Sequence, residues 1–444
     1  MNTTLTQPAE IQPLNVYLHN SKTETFKKFG LAIFALGILF FILALGDAGK
    51  SSPFLFFILT FGLSVTGGLM YFIPKIKEAP PGIKNNRIFF NSITKQGVAG
   101  WVLGIIITGF YVALYWFPDL IKGWVTLVDP LSQWLQGKPA GRWFLYGTFY
   151  TTAVIVMGIR MIIKYRYNRY QIIRTISVSF FQLGFTFLIP ALLSAMNKPD
   201  FYFTYFWPLK PEYLFPSKIA YLTKSAAALG YFMVFWGAAM TFIATPVLTY
   251  FFGKRWYCSW VCGCGGLAET LGDPFRQLSD KSLRAWKIER ISIHSVLVFI
   301  VITTILLWIN SASEGAVFGS LSKTFSSIYG FTIGAMFAGV IGVGFYPIFG
   351  SRVWCRFGCP MAAILGIIQK YLSRFRITVN GDQCISCGNC STYCEMGIDV
   401  KWYAQRGQNI IRASCVGCGI CSAVCPRGVL KLENGPVEGR YNLD

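Results

Sequence analysis

Eight of the chain's 13 cysteines fall in two runs of identical spacing near the C-terminus. Cys384, Cys387, Cys390 and Cys394 make the first run; Cys415, Cys418, Cys421 and Cys425 make the second. Each reads C-x2-C-x2-C-x3-C, and the chemistry this spacing serves is iron–sulfur ligation. Three thiolates two residues apart wrap a tight loop around three corners of an iron–sulfur cube. Gly388, Gly417 and Gly419 leave room for backbone N–H groups to approach the sulfides. A fourth ligand must come from elsewhere, because one loop cannot reach all four corners without strain. Zinc takes separated pairs of ligands rather than two four-cysteine runs. Disulfides would belong to a small secreted scaffold, which this segment is not.

A second constellation is an internal repeat. Residues 252–262 read F-G-K-R-W-Y-C-S-W-V-C and residues 349–359 read F-G-S-R-V-W-C-R-F-G-C. Two cysteines four apart project from one face of a helix or helix start. Brought together, Cys258, Cys262, Cys355 and Cys359 would make a four-thiolate site for a further metal, a cluster or a redox thiol couple. Single buried cysteines are commonly inert, but four at repeated positions argue against that here. The first copy carries an extra thiol, Cys264. Arg255 and Arg352, one per copy, either act on the thiolates or anchor the chain at the membrane surface. Gly263, Gly265 and Gly266 let the chain turn beside the thiols. Glu269 and Asp273 read as a solvated helix start rather than a proton relay.

These motifs need elements to hold them. The chain has 444 residues, 54% hydrophobic and 13% charged, against about 25% charged in soluble proteins. It reads as mainly α: a polytopic membrane bundle with a soluble tail. Spans long enough for a bilayer fall at about 29–46, 53–74, 98–117, 143–163, 175–196, 226–252, 291–309 and 331–350. The net charge of +21 does not point to nucleic acid. Lys27, Lys28, Lys75, Lys77, Lys84, Arg87, Lys164, Arg166, Arg169, Arg174, Lys254, Arg255, Arg284, Lys287 and Arg290 sit on alternate connections, while Asp47, Asp119, Asp129 and Asp200 sit on the others. The positive-inside rule then puts both termini in the cytoplasm, where cluster ligands stay reduced. Residues 1–28 form a polar arm without signal-peptide features.

The outside loops add detail. Residues 118–142, with Trp124 and Trp134, could lie flat on the membrane. The aromatic loop 197–225 reads as an interfacial belt in preference to a quinone-facing surface. Gly334, Ala338 and Gly342 read as a helix-packing face. His19 lies in the polar arm and His294 near a span start, so no bis-histidine haem can form. Walker A, dinucleotide and hydrolytic carboxylate motifs are missing. The spans are nearly bare of ionisable groups away from their ends, which disfavours ion pumping.

The eight-cysteine segment resembles a bacterial-type two-cluster ferredoxin, a small α+β domain. Pro426 follows the second run as in that pattern; Glu395 stands where the first run would have proline. The resemblance implies crossed ligation: Cys384, Cys387, Cys390 and Cys425 on one [4Fe–4S] cluster, and Cys415, Cys418, Cys421 and Cys394 on the other. With the C-x3-C repeats, residues 226–435 resemble the membrane polyferredoxins of the NapH, NosR and CcoG type. The implied organisation is a polar arm (1–28), N-terminal membrane helices (29–225), the duplicated cysteine region (226–371) and the ferredoxin domain (372–444). The implied function is electron transfer between a membrane donor, a quinol, and a respiratory reductase or its maturation system, in the cytoplasmic membrane of a bacterium. The partners expected are membrane lipid, quinone and a redox protein. Two other readings stand beside it: a cupric reductase for oxidase assembly, since Cu(I) prefers thiolates, and a structural assembly scaffold. The chain would then be an electron-transfer subunit of an oxidoreductase. Cys387→Ser is expected to lose one cluster, about four irons, and to destabilise the tail, since cluster binding is coupled to folding. Iron analysis of the purified variant checks this, and full iron retention would refute the assignment.

Overall fold

The structure, a computed structural model, describes residues 21–46, 48–78, 92–380 and 383–435. His19, Asp47, Lys84 and Arg87 lie outside the described residues. Among the described residues, eight helices are long and apolar enough to cross a membrane. They are α1 (Thr23–Leu45), α2 (Pro53–Lys77), α3 (Val98–Trp116), α4 (Arg142–Lys164), α5 (Arg169–Ala195), α6 (Ala228–Phe252), α7 (Leu283–Ala312) and α8 (Gly319–Gly344). The expected count holds, with shifted ends. Polar first turns extend the helices outward: Asn168 caps α5 by accepting the Gln171 N–H at 3.2 Å, and Ser282 caps α7 by accepting that of Ala285 at 3.1 Å. The last span starts well before the expected residue 331, because the serine-bearing stretch from Gly319 continues into it as helix.

Between helices in lipid there is no hydrophobic driving force, so close van der Waals contact must hold them. The contact of α1 with α2 shows this. A Cβ at Gly30 would meet Met70 Cβ at 2.7 Å, and one at Gly67 would strike the backbone of Phe34 and Gly30. The stripe expected in α8 is only partly a packing face. Nothing lies within 4 Å of a Cβ at Gly334, and contact instead falls on Gly339 against Tyr115 and Tyr111, and on Gly342 against Trp354. A π-helical stretch over Gly330–Ile341 rotates the face away from four-residue spacing.

Two loops depart from expectation. Trp124 does not lie flat: it stacks on Phe41 at 4.3 Å and donates its indole N–H to the Phe41 carbonyl at 2.8 Å. Trp134 is 80% exposed and fits the interfacial reading. The aromatic loop 197–225 is neither belt nor open surface. Phe201, Thr204 and Phe206 are buried; Phe206 packs edge-on to Tyr257 at 5.5 Å, and the Tyr257 hydroxyl donates to the Thr204 carbonyl at 2.7 Å. Rings that can bury all their area against the first cysteine motif gain more there than half-immersed at an interface.

The C-terminal domain closes on a two-stranded antiparallel sheet, β1 (Phe375–Val379) with β2 (Leu430–Asn434), Ile377 opposite Leu432. This brings the ends of the eight-cysteine segment together beneath the α6–α7 connection. Gly67→Val should force α1 and α2 apart, an overpacking penalty of about 1–3 kcal/mol. The melting temperature of the detergent-purified protein should fall; an unchanged value would mean the seam is not a packing constraint.

Candidate iron–sulfur sites and the charged network between them

The two repeat copies fold alike. A membrane-side helix ends at a glycine with positive φ, Gly253 (φ 67°) or Gly350 (φ 90°), where a side chain would be strained. A short helix follows, Arg255–Cys258 or Val353–Phe357. The second cysteine then caps another helix, Gly263–Glu269 or Pro360–Tyr371. Cys262 N–H donates to the Tyr257 carbonyl at 2.8 Å, and Cys359 N–H to that of Trp354 at 2.9 Å. The paired cysteines therefore do not share one helical face. The helix breaks between them, and the break aims both thiols at one place.

Cys258, Cys262, Cys355 and Cys359 are all buried, in one apolar cluster that also contains Cys390, Cys415 and Cys421. Burial pushes the Cys258 thiol up to about 12. It also raises that of Cys355 despite the nearby Arg352, so the expected depression by arginine does not win in the free thiol. A hydrogen bond from Cys264 holds Cys262 down to about 7, which gives the extra thiol a partner.

In the C-terminal domain, burial and then the nearby thiols of Cys387, Cys425 and Cys384 raise the Cys390 thiol, and burial and then Cys418, Cys415, Cys394 and Cys390 raise that of Cys421. Gly388, Gly417 and Gly419 all have positive φ. The loop of the second run is clamped to the membrane helices through its carbonyls. Tyr170 donates to Gly417 at 2.9 Å, Gln171 to Cys418 at 2.8 Å, Ser259 to Val416 at 2.8 Å and Gln369 to Cys415 at 2.7 Å. A Cβ at Gly419 would meet the Tyr170 ring at 2.9 Å. The second run thus faces the membrane helices, while Cys387 of the first is exposed.

The residues present fit iron–sulfur clusters. Backbone N–H groups point at the sulfurs of Cys390, Cys394 and Cys415, as thiolate ligands require. The same holds for Cys262 and Cys359 in the repeats. Among the described residues, only Glu269, Glu395 and Cys418 put three donor atoms within 4.8 Å of one another. The cysteines are spread too widely for one ion bound at about 2.3 Å, and a four-iron cube holds its thiolates at separate corners. Three guanidinium groups surround Glu269 and Glu395, so that trio is no cation site.

Between the two cysteine sets lies a buried charged network that spacing did not reveal. Arg352 Nη1 is 3.6 Å from Cys355 Sγ and donates to the Cys258 carbonyl at 3.2 Å. Its other nitrogens meet Glu269 at 2.7 Å and Glu395 at 3.0 Å. Arg276 meets Glu395 at 2.6 Å and Asp273 at 3.0 Å, pairs with Glu269, and lies 4.0 Å from Cys418 Sγ. Arg174 also pairs with Glu269, and Arg160 and Lys164 meet Asp273 at 2.9 Å and 2.6 Å. Five bases thus face three carboxylates, and the two nearest sulfur are Arg352, beside Cys355, and Arg276, beside Cys418. Burial alone would raise the Glu269 carboxyl, but Arg174, Arg276 and Arg352 outweigh it and hold it well below the usual range. Burial also opposes ionisation of Asp273, and Lys164, Arg160 and Arg276 win in the same way. Neither acid is a solvated helix start. Glu395, the departure from the proline pattern, joins this network. That departure was the one sequence signal for it.

The repeat is asymmetric here. Arg352 is buried, whereas Arg255 stacks on Phe375 at 4.7 Å and reaches Asn434 at 3.1 Å. In the first copy Lys254 is the buried base, donating to the Ala413 carbonyl at 3.2 Å. His294 donates its Nδ1–H to the Arg290 carbonyl at 2.6 Å.

A family model described as a 4Fe-4S dicluster domain matches residues 377–432. One described as a 4Fe-4S binding domain matches twice, over residues 234–282 and 330–380, each match holding one copy of the repeat. The chain thus carries iron–sulfur binding domains. YccM of Escherichia coli (strain K12), named as an electron transport protein, is 26% identical over 173 residues, 37% of this chain and 47% of YccM. The protein MJ0749 of Methanocaldococcus jannaschii is 24% identical over 168 residues, 36% of this chain and 59% of that protein. The chain spans about half the length of the curated relatives it matches. No solved structure matches it.

Removing the Glu269 charge would leave three buried guanidinium groups short of a partner. Breaking a buried pair this way costs about 3–5 kcal/mol. Glu269→Gln should therefore lower the melting temperature clearly, and adding Arg174→Met should recover part of the loss. A single variant as stable as the wild type would show that the network is not under electrostatic tension.

Proposed function

We propose that this protein carries electrons between a membrane quinol and a respiratory reductase or its maturation system, as its resemblance to the NapH, NosR and CcoG polyferredoxins implies. One observation carries the reading: the thiols of the repeat and those of the C-terminal domain share a single buried core. The hydrogen bond from Ser259 to Val416 joins the residues that follow Cys258 and Cys415. The electron-transport name of YccM supports the same reading. In it, Cys384, Cys387, Cys390 and Cys425 hold one cluster, and Cys415, Cys418, Cys421 and Cys394 hold the other. Cys258, Cys262, Cys355 and Cys359 hold a third.

When bound, such clusters supply one-electron transfer. The chain supplies the rest. It buries the thiolates, aims backbone N–H groups at them, and sets Arg352 and Arg276 where negative charge collects. The exposed Cys387 edge meets the redox partner. The face that carries the C-terminal domain also carries Arg166, Arg169, Arg284 and Lys287, which supports a cytoplasmic orientation for it under the positive-inside rule.

The test is iron, acid-labile sulfide and copper analysis of anaerobically purified protein, with redox-titrated electron paramagnetic resonance. About twelve irons are expected, falling to about eight in Cys359→Ser with the C-terminal signals intact. About eight in the wild type would make the repeat cysteines redox thiols. Stoichiometric copper would move the cupric-reductase reading to first place.

A further inference from the structure

A large cavity is walled mostly by helices outside the segments that match iron–sulfur families, and those segments close one side of it. Its volume is about 1580 Å³, and α1, α2, α3 and α4 wall most of it. Sites for ordinary small molecules run to about 300–1,000 Å³, so this one suits a longer occupant. Its wall follows α1 from Thr23 to Phe41, a rise of roughly 27 Å at about 1.5 Å per residue. That is most of the depth of a hydrocarbon core, about 30 Å.

The lining changes along this length. At the end beside the C-terminal domain are Lys27, Arg160, Lys164 and Asp273; toward the other face come Phe41, Phe61, Phe110 and Phe149. One polar end and a long apolar shaft match an amphipathic molecule with a compact head and a hydrocarbon tail. The polar end is also joined to the sulfur sites. Asp273 accepts from Lys164 at 2.6 Å, Arg160 at 2.9 Å and Arg276 at 3.0 Å, and Arg276 lies 4.0 Å from Cys418 Sγ. Tyr393, which lines the cavity, is two residues before Glu395 and adjoins Cys394. A structural lipid needs no such neighbours, whereas a head group that exchanges electrons does.

We infer that this cavity is the site of an isoprenoid quinol, its head among Arg160, Lys164 and Asp273 and its tail along the phenylalanine-lined shaft. The inference rests on the proposed quinol donor and gives it a location. Oxidation of the quinol to the quinone releases two electrons and two protons. The two electrons match two one-electron clusters in the C-terminal domain, and the protons leave to water at the basic mouth. Asp273 acts as a positioning residue, fixing Arg160 and Lys164 as donors toward the two ring oxygens.

The test uses the full chain in detergent and the fluorescent quinol analogue 2-heptyl-4-hydroxyquinoline N-oxide. Gly68 and Ala153 both line the cavity. A Cβ at Gly68 meets only the Phe34 ring edge, at 3.9 Å, so Gly68→Leu fills space without a backbone clash, and Ala153→Phe fills it from α4. Fluorescence quenching should show saturable binding to the wild type, at least tenfold weaker in both variants, with iron content unchanged. Equal binding by wild type and variants, or a tightly held phospholipid that the analogue cannot displace, would overturn the site. The two readings fail separately. Cluster reduction by a quinol that persists in both variants would sink the cavity and keep the donor. Cavity-dependent binding without any reduction by quinol would sink the donor and keep the cavity.

Discussion

Arg276 and Arg352 are each buried, and carboxylates from separate parts of the chain meet each guanidinium and offset the cost of burying it. Taking an ion out of water costs several kcal/mol even after relaxation. Here that cost is offset by Glu269 and Asp273 from the α6–α7 connection and by Glu395 from the C-terminal domain. Removing one member leaves its partners uncompensated. The network therefore fixes how the C-terminal domain sits on the membrane helices, and with it which cysteines face which.

The same constraint suits the chemistry. Thiolate-ligated clusters concentrate negative charge in a medium that screens it poorly. The network offers more bases than acids, and the bases nearest sulfur are the two arginines that bridge toward Cys355 and Cys418. Neutral hydrogen bonds to the carbonyls of the 415–418 loop complete the clamp. Stability and electrostatic matching thus come from one set of contacts.

Duplication made the two cysteine motifs alike in backbone and unlike in charge. Both use a glycine with positive φ, a short helix and a capping cysteine. Arg352 turns inward because Glu269 and Glu395 are there to meet it; Arg255 turns outward onto Phe375, and Lys254 takes the inner place. The helices α1 to α4 lie mostly outside these motifs. Their small-residue seam packs α1 on α2, yet a long cavity stays open beside it and ends at Asp273, a member of the same network.

Much was legible from local pattern. Hydropathy marked eight spans because the bilayer imposes a length on each segment separately, and the cysteine spacing marked cluster chemistry because three ligands come from one short loop. The register of the repeat predicted two like copies. What sequence could not carry was burial. Glu269 and Asp273 look like any acids at a helix end, and Glu395 like a lost proline, until segments far apart in sequence bring arginines onto them. The loop 197–225 has the composition of an interfacial belt, and only Tyr257 beneath Phe206, and Tyr213, Leu222 and Met233 around Phe201, draw its rings inside. A charge or an aromatic ring takes its meaning from its surroundings, and those are set by contacts between distant residues, which spacing along a single chain does not encode.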